Sequence, residues 1–310
     1  MIPQRRPGRG RLSGHLPGGS LLRRGRLVGL LYVAPALAFV AAFVLYPLAE
    51  LFRMSLTSAS LLGGERYVGL KNYARALDDE TFRHALLFTL EYTAWITPIL
   101  IVGGFLLALL VLAPTRLAKW TRTFVFLPVV IGIGSSSFLW FGLLDEQVGL
   151  FDRLLQDLSI VRQAVVWFVD ADLGLWAVII SITWKVIGFG MIVFIAAIQS
   201  VGTEIQEAAE MDGAGYWQRC WRITLPLTRR VIVYMTLVSA IGSMLAFDQF
   251  YIMTAGGPRS ETFTAVYWIY QNSFIYFKQG YGAALSILLL ALILAASVLQ
   301  MWLARRSEAS

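Results

Sequence analysis

Very little in these 310 residues could make or break a covalent bond. A single cysteine, Cys220, excludes an intramolecular disulfide, and with only His15 and His84 beside it there is no ligand set for a structural zinc. Gly132, Gly134 and the serines at 135–137 would suit a nucleophile in an apolar helix only if a base lay within hydrogen-bond reach. His84, the histidine outside the N-terminal stretch, falls at the edge of a different apolar segment, so no catalytic residue is assigned. No Gly-x4-Gly-Lys-Ser/Thr loop is present, and the chain cannot itself hold the phosphates of ATP. What remains is charge in apolar surroundings: Glu91, the Trp184-Lys185 pair and Asp248. A lysine in lipid is costly and must face a bundle interior, a partner or a wet cavity. An ion pair, or a side chain reaching to the interface, accounts for these charges as well as a solute path does.

The elements that position these residues are apolar. Hydrophobic residues make up 57% of the chain and charged residues 15%, too little polar surface to cover a soluble globule. Runs near the roughly 20 residues that cross a bilayer recur at 27–46, 85–112, 123–144, 173–198, 231–250 and 281–303. They predict an all-α fold, a polytopic membrane bundle of six transmembrane helices, because lipid leaves an open backbone group without a partner. Seven arginines precede the first run. Arg116, Lys119 and Arg122 follow the second, Arg219, Arg222, Arg229 and Arg230 follow the fourth, and Arg305 and Arg306 follow the last. The positive-inside bias puts these segments, and both termini, in the cytoplasm. The net charge of +7 is thereby explained by topology, without nucleic acid. Residues 1–26, rich in Arg, Gly and Pro, read as a disordered basic tail against anionic lipid. Residues 27–305 read as the permeating domain and 306–310 as a short cytoplasmic tail. Ala36-Leu37-Ala38 is a weak leader-cleavage pattern, but the run continues past it, which favours a retained anchor.

The longest polar interval on the cytoplasmic side lies at 199–229, and its core reads as helix, turn, helix. Thr203 and Gln206 have capping-box spacing, with Glu204 and Glu207 in the first turn where the helix dipole favours them. Ile205, Ala208, Ala209 and Asp212 share one face, mostly small or apolar, which admits close approach of another surface. Gly213 is suited to the left-handed conformation that ends a helix. Tyr216 to Thr224 predicts a second short helix, and Leu225-Pro226 sets the entry to the next apolar run.

Glu207-Ala208-Ala209, three residues, Gly213, nine residues, Ile223, one residue, Leu225-Pro226 resembles the EAA loop of binding-protein-dependent ABC importer permeases, with every signature position filled. Phe247-Asp248-Gln249-Phe250-Tyr251, continuing to Gly256-Gly257-Pro258 and Thr262, resembles the segment after the corresponding span in the first permease subunit of carbohydrate importers. The run Tyr67 to Tyr73 with 78–82 is a weaker match, and the whole resemblance covers about residues 28–305. It implies that Glu207, Ala208, Ala209, Asp212, Gly213, Ile223, Leu225 and Pro226 form a coupling helix and its support, docking on a separate ATPase dimer that holds ATP and Mg. It implies further partners: a second permease subunit, an extracytoplasmic solute-binding protein, membrane lipid and a carbohydrate substrate. Trp184, Lys185, Asp248 and Tyr251 are candidates for lining the solute path, since ring faces pack on sugar C–H faces and polar groups satisfy hydroxyls. Gly256, Gly257 and Pro258 would form a tight outer turn. The absence of additional helices places the chain nearer the basic six-helix carbohydrate and glycerol-phosphate members than the maltose type. An ion-coupled secondary transporter is the rival reading. It needs intramembrane acidic sites, for which Glu91 and Asp248 alone are available, and it leaves the EAA pattern unexplained.

Overall fold

The computed structural model describes residues 32–60, 63–161 and 165–309; the tail expected at 1–26 lies outside them. The chain divides into two units, residues 1–53 and 54–310. Among the described residues there is no strand, only an isolated antiparallel bridge between Thr57 and Tyr67. Among the described residues four helices are long and apolar enough to cross a membrane, or six elements if each of two bent pairs makes one span.

The described residues of the first unit, 32–53, belong to helix α1, Tyr32–Ser55, whose apolar side chains are exposed along most of its length. The helix extends well past the predicted end at residue 46. Pro47 lacks the N–H that would meet the carbonyl four residues back, and the helix carries a π turn at Ala41–Leu45 just before it, a widening that accommodates the ring without ending the helix.

In the second unit a short helix α2, Lys71–Asp78, leads through Asp79 into α3, Glu80–Leu110. The Asp79 carboxylate accepts the Phe82 N–H at 3.0 Å and caps α3. Helix α4, Arg116–Val130, and α5, Ile133–Leu143, are bent by 103° at a short break, so the single helix expected over 123–144 is corrected to a broken element. Pro128 removes a donor, and Ile131 and Gly132 take extended backbone angles. A short helix α6, Leu150–Asp157, precedes α7, Ala171–Gln199. Helix α8, Thr203–Met211, is followed by α9, Tyr216–Leu227, and α10, Arg229–Met244, the latter two bent by 68°. The span expected over 231–250 is therefore also corrected: α10 stops at Met244 and a π turn follows at Phe250–Thr254. Helix α11, Ala265–Tyr270, runs into another π turn at Gln271–Ile275. Helix α12, Gln279–Ala309, continues beyond 305, where a tail was expected to begin.

Helices α3 and α7 pack along most of their length. In lipid the hydrophobic effect does not draw helices together, so close backbone approach and hydrogen bonds carry the association. A Cβ on Gly104 would lie 3.4 Å from the Gly190 backbone, so the two helices meet almost main chain to main chain. Phe88 and Tyr92 of α3 meet Phe250 edge-on at 5.2 and 5.1 Å, and Phe105 meets Phe194 at 5.6 Å. Hydroxyls join the other elements: Ser243 donates to Thr93 at 3.0 Å, the Ala265 N–H donates to Thr89 at 2.9 Å, and Thr264 donates to the Ala246 carbonyl at 2.7 Å. Arg122, read above only as a topology charge, also donates to the carbonyls of Val111 and Leu112 and closes the C-terminus of α3.

Candidate functional site

Two regions carry the residues singled out by the sequence. The first is the hairpin of α8 and α9. Gly213 has φ +81°; the Ala214 N–H donates to the Ala209 carbonyl at 2.9 Å and the Gly213 N–H to the Glu210 carbonyl at 3.0 Å. That is a Schellman closure, which needs a residue comfortable at positive φ. At the other end the capping-box expectation is corrected. The N-cap is Gly202, and Gln206 sends its amide across the hairpin to the Thr224 hydroxyl at 3.1 Å.

A brace that the sequence did not signal holds the two helices together. Arg219, mostly buried, donates to the Glu210 carboxylate at 2.6 Å and to the Gln206 carbonyl at 3.4 Å. No fixed spacing announces a bond across a turn of this kind. Cys220 and Thr224 are buried behind it, bracketing a π turn. The result is a hairpin rigid within itself yet uncovered. Glu207, Ala208, Asp212 and Gly213 are exposed, Ala209 is half-buried, and no described residue of α8 is buried. Ile205, Met211, Trp217 and Trp221 are exposed too, giving the hairpin an open apolar surface. Ile223 and Leu225 are half-buried beneath, while Pro226 is exposed at the start of the last helical turn of α9.

The second region lies in the apolar helices. Lys185 is buried in α7, and its ammonium donates to the Val129 carbonyl at 3.4 Å, in the last turn before the α4–α5 break. The lysine thus faces the interior and meets the carbonyl end of a broken helix, a site where cation and helix dipole attract. Trp184 is partly exposed and meets Trp140 edge-on at 5.9 Å. Asp248 is exposed. Tyr251 stacks on Phe247 at 5.2 Å and lies against Tyr267 and Tyr270 at 5.4 and 5.5 Å, an aromatic group with one open side. Glu91 is exposed. A cavity of about 250 Å³ lies among α3, α7 and α10, lined mostly by aliphatic side chains with Tyr92, Ser239, Ser243 and Gln249 as its polar members. None of the four path candidates lines it. The hydroxyl oxygen of the half-buried Ser239 is shut off there with no hydrogen-bond partner among the described residues, a polar atom that sequence reading had no means to locate.

Replacing Lys185 by methionine keeps the volume and removes the bond to Val129. Assembly is expected to be unchanged and solute uptake to fall about tenfold, the effect of losing one charged hydrogen bond. Unaltered uptake kinetics would leave the amine with a packing role only.

The Gly256-Gly257-Pro258 turn is tight, as expected. Gly256 has φ +78°, and a Cβ there would lie 1.9 Å from the edge of the Phe263 ring. Thr262, fully buried, donates to the Gly257 carbonyl at 2.7 Å, and its hydroxyl oxygen lies 2.8 Å from that of Thr254, locking the turn. Ser136 and Ser137 donate to the Ile133 carbonyl and serve helix α5.

The sequence pattern of the family described as "Binding-protein-dependent transport system inner membrane component" matches residues 76–308. The lactose transport system permease protein LacF of Rhizobium radiobacter is 32% identical, over 93% of this chain and 98% of its own. The arabinooligosaccharides transport system permease protein AraP of Bacillus subtilis is 33% identical over 87% and 86%. The fold is also that of a chain in the crystal structure of a bacterial alginate ABC transporter in complex with an alginate pentasaccharide-bound periplasmic protein, with TM-score 0.81, 22% identity, and 93% and 96% coverage. The chain belongs to the family of binding-protein-dependent transport system inner membrane components.

Proposed function

We propose that this chain is one of two permease subunits of an ATP-driven importer for a carbohydrate or a related solute, and that α8 is the surface it presents to a cytoplasmic ATPase. The observation that carries this reading is the hairpin: a helix braced by Arg219 and closed by Gly213, yet open on its Ile205–Ala208–Asp212 side. A helix ordered from behind and bare in front transmits a push as a rigid body. Each bent pair, α4–α5 and α9–α10, then counts as one span, giving six with both termini inside. The arginine distribution supports that orientation.

The assembly on this reading comprises a second permease subunit, an ATPase dimer binding ATP and Mg, and an external solute-binding protein. The coupling residues are Glu207, Ala208, Ala209, Asp212 and Gly213, supported by Ile223, Leu225 and Pro226. The aromatic group around Tyr251, with Asp248 beside it, is the surface best suited to a sugar, because it offers ring faces and a carboxylate without a closed core around them. Trp184 and Lys185 contribute from α7. The names of LacF and AraP favour a saccharide; that of the sn-glycerol-3-phosphate transport system permease protein UgpA of Yersinia pestis, 29% identical, keeps a polyol phosphate in view.

Mass spectrometry of what copurifies with the tagged chain tests this directly. An ATPase and a second EAA-bearing permease are expected; the chain alone, from an intact preparation, would favour an ion-coupled transporter. Gly213→Val sharpens the test. Nothing lies within 4 Å of the new Cβ, so the substitution acts through backbone strain of about 1–2 kcal/mol. Insertion is expected to be normal and ATPase recovery to fall by about tenfold. Normal transport by a well-expressed variant would remove α8 from the coupling role.

A further inference from the structure

A polar cleft at the ends of two spans is absorbed by none of the functions above. It has a volume of about 350 Å³ and is lined by Arg75 and Asp78 of α2, Asp79, Trp268 of α11, and Tyr276 and Lys278 just before α12. Asp79 is already committed, accepting from Phe82, from Trp268 at 3.0 Å and from Tyr281 at 2.6 Å. The other charges are not. Arg75 stacks 4.4 Å above the Tyr281 ring and Lys278 lies 5.5 Å from the Tyr276 ring centre. Among the described residues no ion pair engages Arg75, Lys278 or Asp78. Two cations and one carboxylate therefore face one cleft with their ionic capacity free.

The flanks are apolar and bare. Leu70, Ala74 and Leu77 at i, i+4 and i+7 form one exposed stripe along α2, with the two leucines 70% and 72% exposed. On the opposite flank Phe274 and Ile275 are exposed, and the half-exposed Tyr276 lies 6.0 Å from Trp268. Both apolar spans, α3 and α12, begin within two residues of lining residues. This places the cleft at the level where a bilayer changes from headgroup to hydrocarbon, the level at which Trp and Tyr collect.

From this arrangement we propose that the cleft binds the headgroup of one phospholipid that carries both a phosphate and a free ammonium. The phosphate lies between Arg75 and Lys278, the ammonium faces Asp78, and the acyl chains run along the Leu70–Leu77 stripe. Arginine and lysine supply donors matched to phosphate oxygens. Asp78 distinguishes the ligand class: an ammonium gains from its carboxylate, whereas a headgroup bearing only negative charge is repelled by it.

Native mass spectrometry of the full-length chain in mild detergent, titrated with phosphatidylethanolamine or phosphatidylglycerol of identical acyl chains, tests the assignment. Wild type is expected to retain a single phosphatidylethanolamine at least fivefold more strongly than phosphatidylglycerol. Asp78→Asn is expected to erase or reverse that preference. Lys278→Gln is expected to weaken both lipids, and because both side chains are exposed neither change threatens folding, which the elution profile verifies. Equal retention of the two lipids by wild type, or a preference that survives Asp78→Asn, overturns the proposal. Neither result bears on the ATPase hairpin, whose own test is copurification.

Discussion

Gly188→Ala is expected to destabilise the detergent-solubilised chain by about 3 kcal/mol and to abolish uptake. A Cβ at Gly188 would sit 2.2 Å from the Val125 carbonyl oxygen and 2.8 Å from the Phe126 Cα. Both are main-chain atoms in the second half of α4, so no rotamer change can make room. The clash must separate α7 from the broken element, and with it the Lys185 ammonium one turn away from Val129. Thermal unfolding followed by tryptophan fluorescence measures the first effect and solute uptake the second. Gly142→Ala in α5 is the control: nothing lies within 4 Å of its Cβ, so the variant is expected to match or slightly exceed wild type, as alanine favours a helix over glycine. Similar stability of the two variants would mean that α7 does not depend on that contact.

The second large effect is expected at Asp79. Its carboxylate caps α3 and also accepts from Trp268 and Tyr281, joining the first residues of one span to α11 and the start of α12. Asp79→Ala removes a cap of about 1 kcal/mol and strands two donors at about 1 kcal/mol or more each, a loss of about 3 kcal/mol in all. Asp79→Asn keeps an oxygen for the cap and is expected to lose less. Burial pushes the Asp79 carboxyl up, but the hydrogen bonds from Tyr281, the Phe82 N–H, Trp268 and the Thr81 N–H together outweigh it, leaving the group below its ordinary value. Lowered in the folded state, this carboxylate stabilises fully above the unfolded carboxyl's ordinary range. That contribution is lost as pH falls through the folded value. Between pH 5 and pH 3 the unfolding temperature is expected to drop more in wild type than in Asp79→Asn. Equal slopes would show that the triple acceptor carries no pH-dependent stability.

The sequence made some of this molecule legible and concealed the rest for identifiable reasons. The positions of α3 and α7 follow from uninterrupted apolar runs. The left-handed Gly213 follows from its place between a helix and a second amphipathic stretch. The breaks were not legible as breaks. Pro128 and Gly132 are tolerated inside membrane helices often enough that their presence fixes no angle, and composition over 123–144 is the same for a straight helix and a bent one. The π turns at Cys220–Thr224 and Phe250–Thr254 add a residue to the turn and shift the helical face beyond them, which a periodicity of 3.6 does not register. Gln206 illustrates the limit at the site: its spacing from Thr203 fits a local cap, yet the side chain crosses to Thr224, eighteen residues on. Trp184, Asp248 and Tyr251 were selected by chemistry and depth in the chain, and neither quantity says which way a side chain faces.

The near contact of Gly104 with Gly190 bears on where this protein can move. Two helices that interlock through side chains own alternative packings and can ratchet between them by exchanging rotamers. Where main chain rests on main chain there is no rotamer to exchange, and sliding by even one residue would bring larger side chains into a gap of glycine width. The α3–α7 pair is accordingly expected to move as one body, which leaves the bends between α4 and α5 and between α9 and α10 as natural joints for relative motion.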